Sequence, residues 1–217
     1  MRPAEIENTI QRAYEARLQQ NPSGRPLGWR LLYSPRSVLE GARVAFIGLN
    51  PGGSTVDPEH GVFSSERGSA YRREVENWGA SSQLQDQVLE LFRRLNVSPE
   101  EVLAGNLVPF RSPSEATLED APGAIAFGKT LWAEILTTAR PSVVVSMGGT
   151  ANREVAQLLG VNDVKSHPVG WGNYTASRGR FPDGIWIGLP HLSRFAIMKL
   201  APSQAALVEL FRGLSTL

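Results

Sequence analysis

The sequence predicts an α/β protein of three layers, α/β/α, built on a central, mainly parallel four-stranded sheet. Three observations carry that expectation. Short apolar runs at residues 44–47, 102–107, 142–147 and 185–189 show little polar alternation, as strands buried on both faces do. Stretches with apolar residues at helical spacing lie between them, and parallel strands need crossovers of that kind. At 217 residues the chain is one domain by length, long enough to cover a sheet on both sides.

The elements follow in order. Ile6, Ile10, Tyr14 and Leu18 recur at i, i+4 and make the first segment an amphipathic helix. Residues 21–43 hold several prolines and read as irregular, with a short strand near residues 29–32. Residues 1–43 are thus a helix and an irregular extension of a single domain, 1–217. The first strand runs into Gly48-Leu49-Asn50-Pro51-Gly52-Gly53, and a long Gly/Ser-rich loop continues to about Ser69. Compact domains keep loops of that length for a purpose. Val88, Leu91, Phe92 and Leu95 share one face of a helix over 83–95. Ser98-Pro99-Glu100-Glu101 supplies an N-cap, a proline at the first helical position and first-turn acids. A short second strand at 102–107 and a helix over 118–138 come next. Residues 142–147 are the clearest buried strand, and Gly148-Gly149-Thr150 turns it into a helix over 151–159. Residues 161–184 read as irregular and basic, 185–189 as the fourth strand, and 202–214 as a closing helix introduced by Ala201-Pro202. There is no internal repeat, low-complexity tract or domain linker.

Composition removes several chemistries. The chain has no cysteine, which excludes disulfides, thiolate zinc sites and iron–sulfur clusters. His60, His167 and His191 are its only histidines and lie far apart, so a metal cage is not expected. The first residues lack the apolar core of a signal peptide, and no run approaches membrane-spanning length. A cytoplasmic location is expected, with no membrane partner, and the sequon Asn173-Tyr174-Thr175 is then idle. The formal net charge of +1 speaks neither for nor against nucleic acid. Its distribution says more, because residues 165–199 carry Lys165, Arg178, Arg180, Arg194 and Lys199 against Asp183 alone. Such a field suits a phosphate backbone, or is a solvated arginine-rich loop.

Three apolar runs each end in one polar side chain: Asn50, Asn106 in Gly105-Asn106-Leu107-Val108-Pro109-Phe110, and His191 in Leu189-Pro190-His191-Leu192-Ser193-Arg194. Ligands of open α/β sheets sit where strands end, so the three can converge. The glycine turn is neither a P-loop, lacking a Gly-Lys-Ser/Thr ending, nor the Gly-x-Gly-x-x-Gly of a dinucleotide fold.

The ordered set resembles the uracil-DNA glycosylase superfamily, nearest its mismatch-specific and single-strand-selective monofunctional branches, over roughly residues 44–214. Gly48 to Gly52 match its Gly-x-Asn-Pro-Gly first motif, and Asn106 matches an Asn near the end of a middle strand. The final motif, commonly His-Pro-Ser followed by a wedge, is matched by His191-Leu192-Ser193-Arg194-Phe195, with Leu192 in place of the proline. The strand–glycine–helix unit at 143–159 is similar to the penultimate βα element. The resemblance implies hydrolysis of the N-glycosidic bond of uracil, with 5-substituted uracils as further candidates, in base excision repair. It implies a monomer acting on DNA that contains uracil or related damaged bases, flipped out of the stack.

Each residue carries a functional and a structural reading. The glycosidic transition state is cationic at the sugar and anionic on the leaving base. An amide can aim a water at such a sugar without deprotonating it, the role the family implies for Asn50; otherwise Asn50 caps its turn. His191 can donate to the departing base as oxyanion-hole donors do, or is a satisfied structural histidine. The amide of Asn106 complements the N3–H and O4 edge of uracil, or bonds backbone at a strand end. Phe63 corresponds to an aromatic that relatives place under the flipped base, or is core. Ser193, Arg194 and Phe195 are candidate DNA contacts, with Arg194 and Phe195 the candidate wedge; Phe195 fits the core equally well. Trp171 and Tyr174 are further candidates for DNA contact. Gly48 and Gly52 line the base pocket in this reading. The strictly uracil-selective branch has a tyrosine where Gly52 stands, so the pocket is open at C5 unless a side chain from 54–69 fills it. No motif offers an amine nucleophile, so no lyase step is expected, and the glycosylase reading calls for neither a metal nor an organic cofactor. The competing reading is a glycosylase-fold protein that binds damaged or unusual nucleic acid without catalysis.

Overall fold

The fully apolar runs form strands buried on both faces, and they place the sheet. The computed structural model describes residues 2–21, 26–53 and 63–214. Strands β1 (Val44–Gly48), β2 (Leu103–Asn106) and β3 (Val143–Met147) are buried along their whole length. Alternation sends Val44 and Phe46 into one core cluster and Ala45 and Ile47 into the other, so β1 is the seam of two cores. The remaining strands are β4 (Asn162–Pro168), β5 (Thr175–Phe181) and β6 (Gly184–Leu189), in the order β2-β1-β3-β6-β5-β4. β2, β1, β3 and β6 are mutually parallel, while β5 is antiparallel to β6 and β4 to β5.

The sheet therefore has six strands where the sequence predicts four. The parallel four are the predicted ones, and the two additions form a hairpin in the stretch read as irregular. The physical reason lies in β4, which is solvated at six of its seven positions and so has no apolar run to show. Its charges and exposure are what a sheet edge uses to stay single.

Helices cover both faces. α1 (Pro3–Gln20), α4 (Ala121–Ala139) and α5 (Gly149–Leu159) cover one, with Ile6, Ile10, Trp132, Ile135 and Val155 in its core. α2 (Ala70–Trp78), α3 (Gln83–Arg94) and α6 (Gln204–Phe211) cover the other, through Tyr71, Val88, Leu91, Phe92, Leu207 and Leu210. The short helix α2 escapes the sequence reading because only Ala70 and Tyr71 of its nine residues are buried. Residues 99–101 form a single 3-10 turn, since β2 begins two residues later. α4 starts at Ala121, where the Asp120 side chain accepts the Gly123 N–H. The closing helix is a 3-10 turn, Ala201–Ser203, followed by α6, and the strand near 29–32 is a pair of single bridges, Trp29–Phe110 and Leu32–Gly105. Arg178 donates to Glu209 O, Leu210 O and Arg212 O, capping the last carbonyls of α6. That cation serves the fold and not a basic patch. No helix among the described residues is long and apolar enough to cross a membrane.

Candidate functional site

The parallel register sets Gly48 directly beside Asn106 at the carboxyl edge of the sheet. The two following segments then run together: Leu107 N–H donates to Gly48 O at 2.9 Å, Val108 N–H to Leu49 O at 2.8 Å, and Ser112 N–H to Pro51 O at 3.0 Å. Asn106 is 6% exposed, and both its backbone groups are held, its N–H by Leu31 O at 3.3 Å and its C=O by Trp132 Nε1 at 2.8 Å. Its Oδ1 rests over Gly48, where a Cβ would lie 2.7 Å away. Only glycine permits that approach. Its Nδ2 is buried, with no hydrogen-bond partner among the described residues. A buried donor left unpaired costs on the order of 1–3 kcal/mol, and such a group marks the place where a ligand acceptor fits.

Asn50 is half-buried in the turn after β1. Its Nδ2 donates to Pro51 O and to Ser112 O, each at 3.0 Å. The donor end thus clamps the turn, and the rotation of the amide is fixed. Its Oδ1 makes no hydrogen bond to the described residues, so it is left as a fixed acceptor for a water or ligand proton. Arg111 Nη1 donates to Gly52 O on the same turn. Among the described residues a Cβ at Gly52 would meet nothing within 4 Å. Residues 54–62, which hold most of the long loop and the side chains that would fill that space, lie outside the described residues.

The third strand end is built around β6. Leu189 O accepts two hydrogen bonds, from Gly148 N–H at 3.0 Å and Asn152 Nδ2 at 2.9 Å. Asn152 Oδ1 in turn accepts from Ser146 Oγ at 2.8 Å, and Trp186 Nε1 donates to that hydroxyl at 2.9 Å. The chain Trp186–Ser146–Asn152–Leu189 fixes the end of β6 just before His191. The His191 ring lies over Gly148, where a Cβ would be 3.5 Å from Cδ2. Ser193 Oγ is 2.7 Å from His191 Nδ1, and the Ser193 N–H points at the same nitrogen from 3.4 Å. A backbone N–H can only donate, so Nδ1 is the acceptor and Nε2 carries the proton in the neutral ring. Burial, and then the charge of Arg194, hold the His191 pKa below its ordinary value of 6.5. The ring is neutral at neutral pH and presents one N–H donor.

The structure therefore gathers Gly48, Asn50, Gly52 and Asn106 into one contiguous patch over β1 and β2. His191 stands at the end of β6, two strands from β1 across β3. Met147 and Gly148 at the end of β3 bridge the gap: Met147 Cε would be 3.8 Å from a Cβ at Gly48. Phe63 is buried in the core on the α1 side, 3% exposed, and its C=O accepts the Leu32 N–H at 2.9 Å beside the Leu32–Gly105 bridge. Its backbone thus meets Leu32, whose bridge partner Gly105 precedes Asn106 on β2. Ser193 is turned onto His191 as its orienting partner. Arg194 is exposed, and Phe195 is half-buried with its ring against Tyr174 and Trp171. Ser112, Arg111, Ser146 and Asn152 escape the sequence reading. A polar residue in the first turn after Gly148-Gly149 was the available signal for Asn152. Among the described residues no group of three or more His, Asp or Glu is placed to hold a metal ion.

Chemically, the edge offers a fixed acceptor, a neutral imidazole donor, and a buried amide with one unpartnered donor. The family model described as Uracil DNA glycosylase superfamily matches residues 36–215, which takes in all three strand ends. None of the curated proteins matches the chain.

Proposed function

Because the chain belongs to the uracil DNA glycosylase superfamily, we propose that it is a monofunctional glycosylase that hydrolyses the N-glycosidic bond of uracil in DNA. The observation that carries this reading is Asn106, whose buried Nδ2 lacks a partner among the described residues and whose Oδ1 rests over Gly48. An amide held there matches the N3–H and O4 edge of uracil with one acceptor and one donor. Cytosine presents the opposite pattern and would leave both groups unpaired. In this reading Asn50 Oδ1 accepts a hydrogen bond from a water and aims its oxygen at C1′. The C1′–N1 bond breaks with its electron pair leaving on the base, water adds to C1′, and its surplus proton passes to solvent. His191 Nε2–H donates to O2 of the departing base, where negative charge develops.

The direct test is incubation with single- and double-stranded oligonucleotides carrying one uracil, followed by detection of abasic sites. Release of free uracil supports the proposal. Binding without any abasic product identifies a glycosylase-fold binding protein instead.

Two substitutions probe the pocket. The open space at Gly52 predicts that 5-hydroxymethyluracil is excised along with uracil from the same single strand. Gly52→Tyr, which fills that space, loses the bulkier base selectively. Complete exclusion of 5-hydroxymethyluracil by the wild type shows that Gly52 does not set the pocket. Gly48→Ala pushes its methyl against Asn106 Oδ1, a clash with a side-chain end that the fold survives. Displacing the amide by even 1 Å costs about a hundredfold in excision. The melting temperature of that variant changes little, and excision at the wild-type rate would show that the contact between Gly48 and Asn106 is not used.

A further inference from the structure

Three aromatic rings stand together beyond His191, two of them on an element that the strand-end motifs do not include. Trp171 and Tyr174 lie on the turn joining β4 to β5, and Phe195 on the turn that follows β6. The Phe195 ring centroid is 4.2 Å from that of Tyr174 and 5.9 Å from that of Trp171. Trp171 is 39% exposed and Tyr174 54%. The turn holding them is anchored. Val169 is fully buried, its N–H donates to Tyr174 O at 3.1 Å, and its C=O accepts the Ser203 hydroxyl. Tyr174 N–H donates to Trp171 O at 2.9 Å, and Gly170, at φ +73, approaches Pro202 so closely that a Cβ would lie 2.5 Å from it. The rings are therefore held outward by a fixed backbone.

Their place and their surroundings specify an occupant. β5 is antiparallel to β6, with Ser177 opposite Gly188, so the turn before β5 stands at the edge where Asn106, Asn50 and His191 end their strands. Neither residues 169–174 nor residues 190–203 contain an aspartate or glutamate. Arg194 and Lys199 are exposed on the second of these segments. Exposed aromatic faces on segments that carry cations and no carboxylate suit a polyanion that carries π-faces. The Trp171 and Phe195 rings stand at 76° to one another, which fits bases splayed apart and not a continuous helical stack. In a duplex the base faces are covered by their neighbours.

Resting on the reading of this edge as a DNA site, we propose that Trp171, Tyr174 and Phe195 form a stacking platform for unpaired bases next to the target nucleotide on its own strand. The platform makes single-stranded DNA the preferred form and is tolerant of sequence, since every base has a π-face.

The test measures binding without chemistry. A labelled oligothymidylate of about ten nucleotides with no uracil is titrated with the full chain, and the matching duplex is titrated in parallel; the probe exploits that sequence tolerance. Trp171→Ala combined with Tyr174→Ala weakens single-strand binding about tenfold or more, the loss of one stacked base, and leaves duplex binding nearly unchanged. Trp171→Phe with Tyr174→Phe retains single-strand affinity, because the faces remain. Equal single-strand affinity in the wild type and the alanine pair overturns the proposal. So does a self-association that the alanine pair abolishes while single-strand affinity stays unchanged, which would make the patch a contact between copies. A protein that excises nothing yet shows the tenfold difference defeats only the glycosylase reading, whereas an active protein indifferent to the alanine pair defeats only the platform.

Discussion

Replacing Asn50 or His191 by alanine lowers uracil excision by about a hundredfold or more in each case, the scale set by loss of a positioned reactant or of one oxyanion-type donor. Single-strand binding changes little, because neither side chain belongs to the aromatic platform. Asn50 needs a control, since its Nδ2 also ties Pro51 O and Ser112 O together. Asn50→Asp keeps an acceptor oxygen but loses both of those donor bonds. Excision by Asn50→Asp above that of Asn50→Ala assigns the effect to the acceptor, and equal loss in the two assigns it to the turn. Wild-type turnover in both alanine variants, with the fold intact, removes the catalytic assignment.

The neutral state of His191 adds a pH signature. Burial and Arg194 lower its pKa from 6.5, so excision holds level as pH falls through 6.5 and declines only below the depressed value. Protonation at Nδ1 would set two donors, the ring and the Ser193 N–H, against one another. Arg194→Ala removes the charge that helps to depress that pKa, so the acid limb of the profile moves upward toward 6.5. An arginine that only met the DNA backbone would change binding without moving the limb.

How much of this was legible follows from what each element faces. The four parallel strands are covered on both sides and appear as apolar runs, and the polar residue ending three of them stands out by contrast. β4 is a solvated edge and β5 beside it is buried at only three of its seven positions, so Lys165, Arg178 and Arg180 conceal a hairpin that no hydrophobic period reveals. Trp171 and Tyr174 belong to that hairpin, and their meeting with Phe195 depends on the sheet order β6-β5-β4. The clamp between Asn50 and Ser112 spans 62 residues and exists only because β1 and β2 are neighbours. The same holds for Asn152, which reaches Leu189 across 37 residues. Local chemistry was readable, and contacts made by sheet order were not.

Asn106→Asp has the largest expected effect on excision. Asn106 sits 6% exposed, with its backbone tied to Leu31 and Trp132 and its amide resting on Gly48, so a substituted side chain keeps the same position. An ionised carboxylate there is acceptor only, and it opposes O4 of uracil where the amide donated. Sites that read a polar group by buried hydrogen bonds reject a mismatched partner by about ten-thousandfold, and uracil excision at neutral pH falls on that order. Burial raises the pKa of the new carboxyl group, and its protonated form again offers one donor and one acceptor. Some uracil excision therefore returns as pH falls toward that raised pKa, so long as pH stays above the depressed value of His191. The neutral carboxyl also meets cytosine, accepting from the exocyclic amine and donating to N3, so cytosine becomes a weak substrate of the variant. Rates on uracil and cytosine strands between pH 5 and 8, the span over which such groups titrate, check both effects. Undiminished uracil excision by Asn106→Asp at neutral pH would mean that the amide holds the strand end and does not read the base.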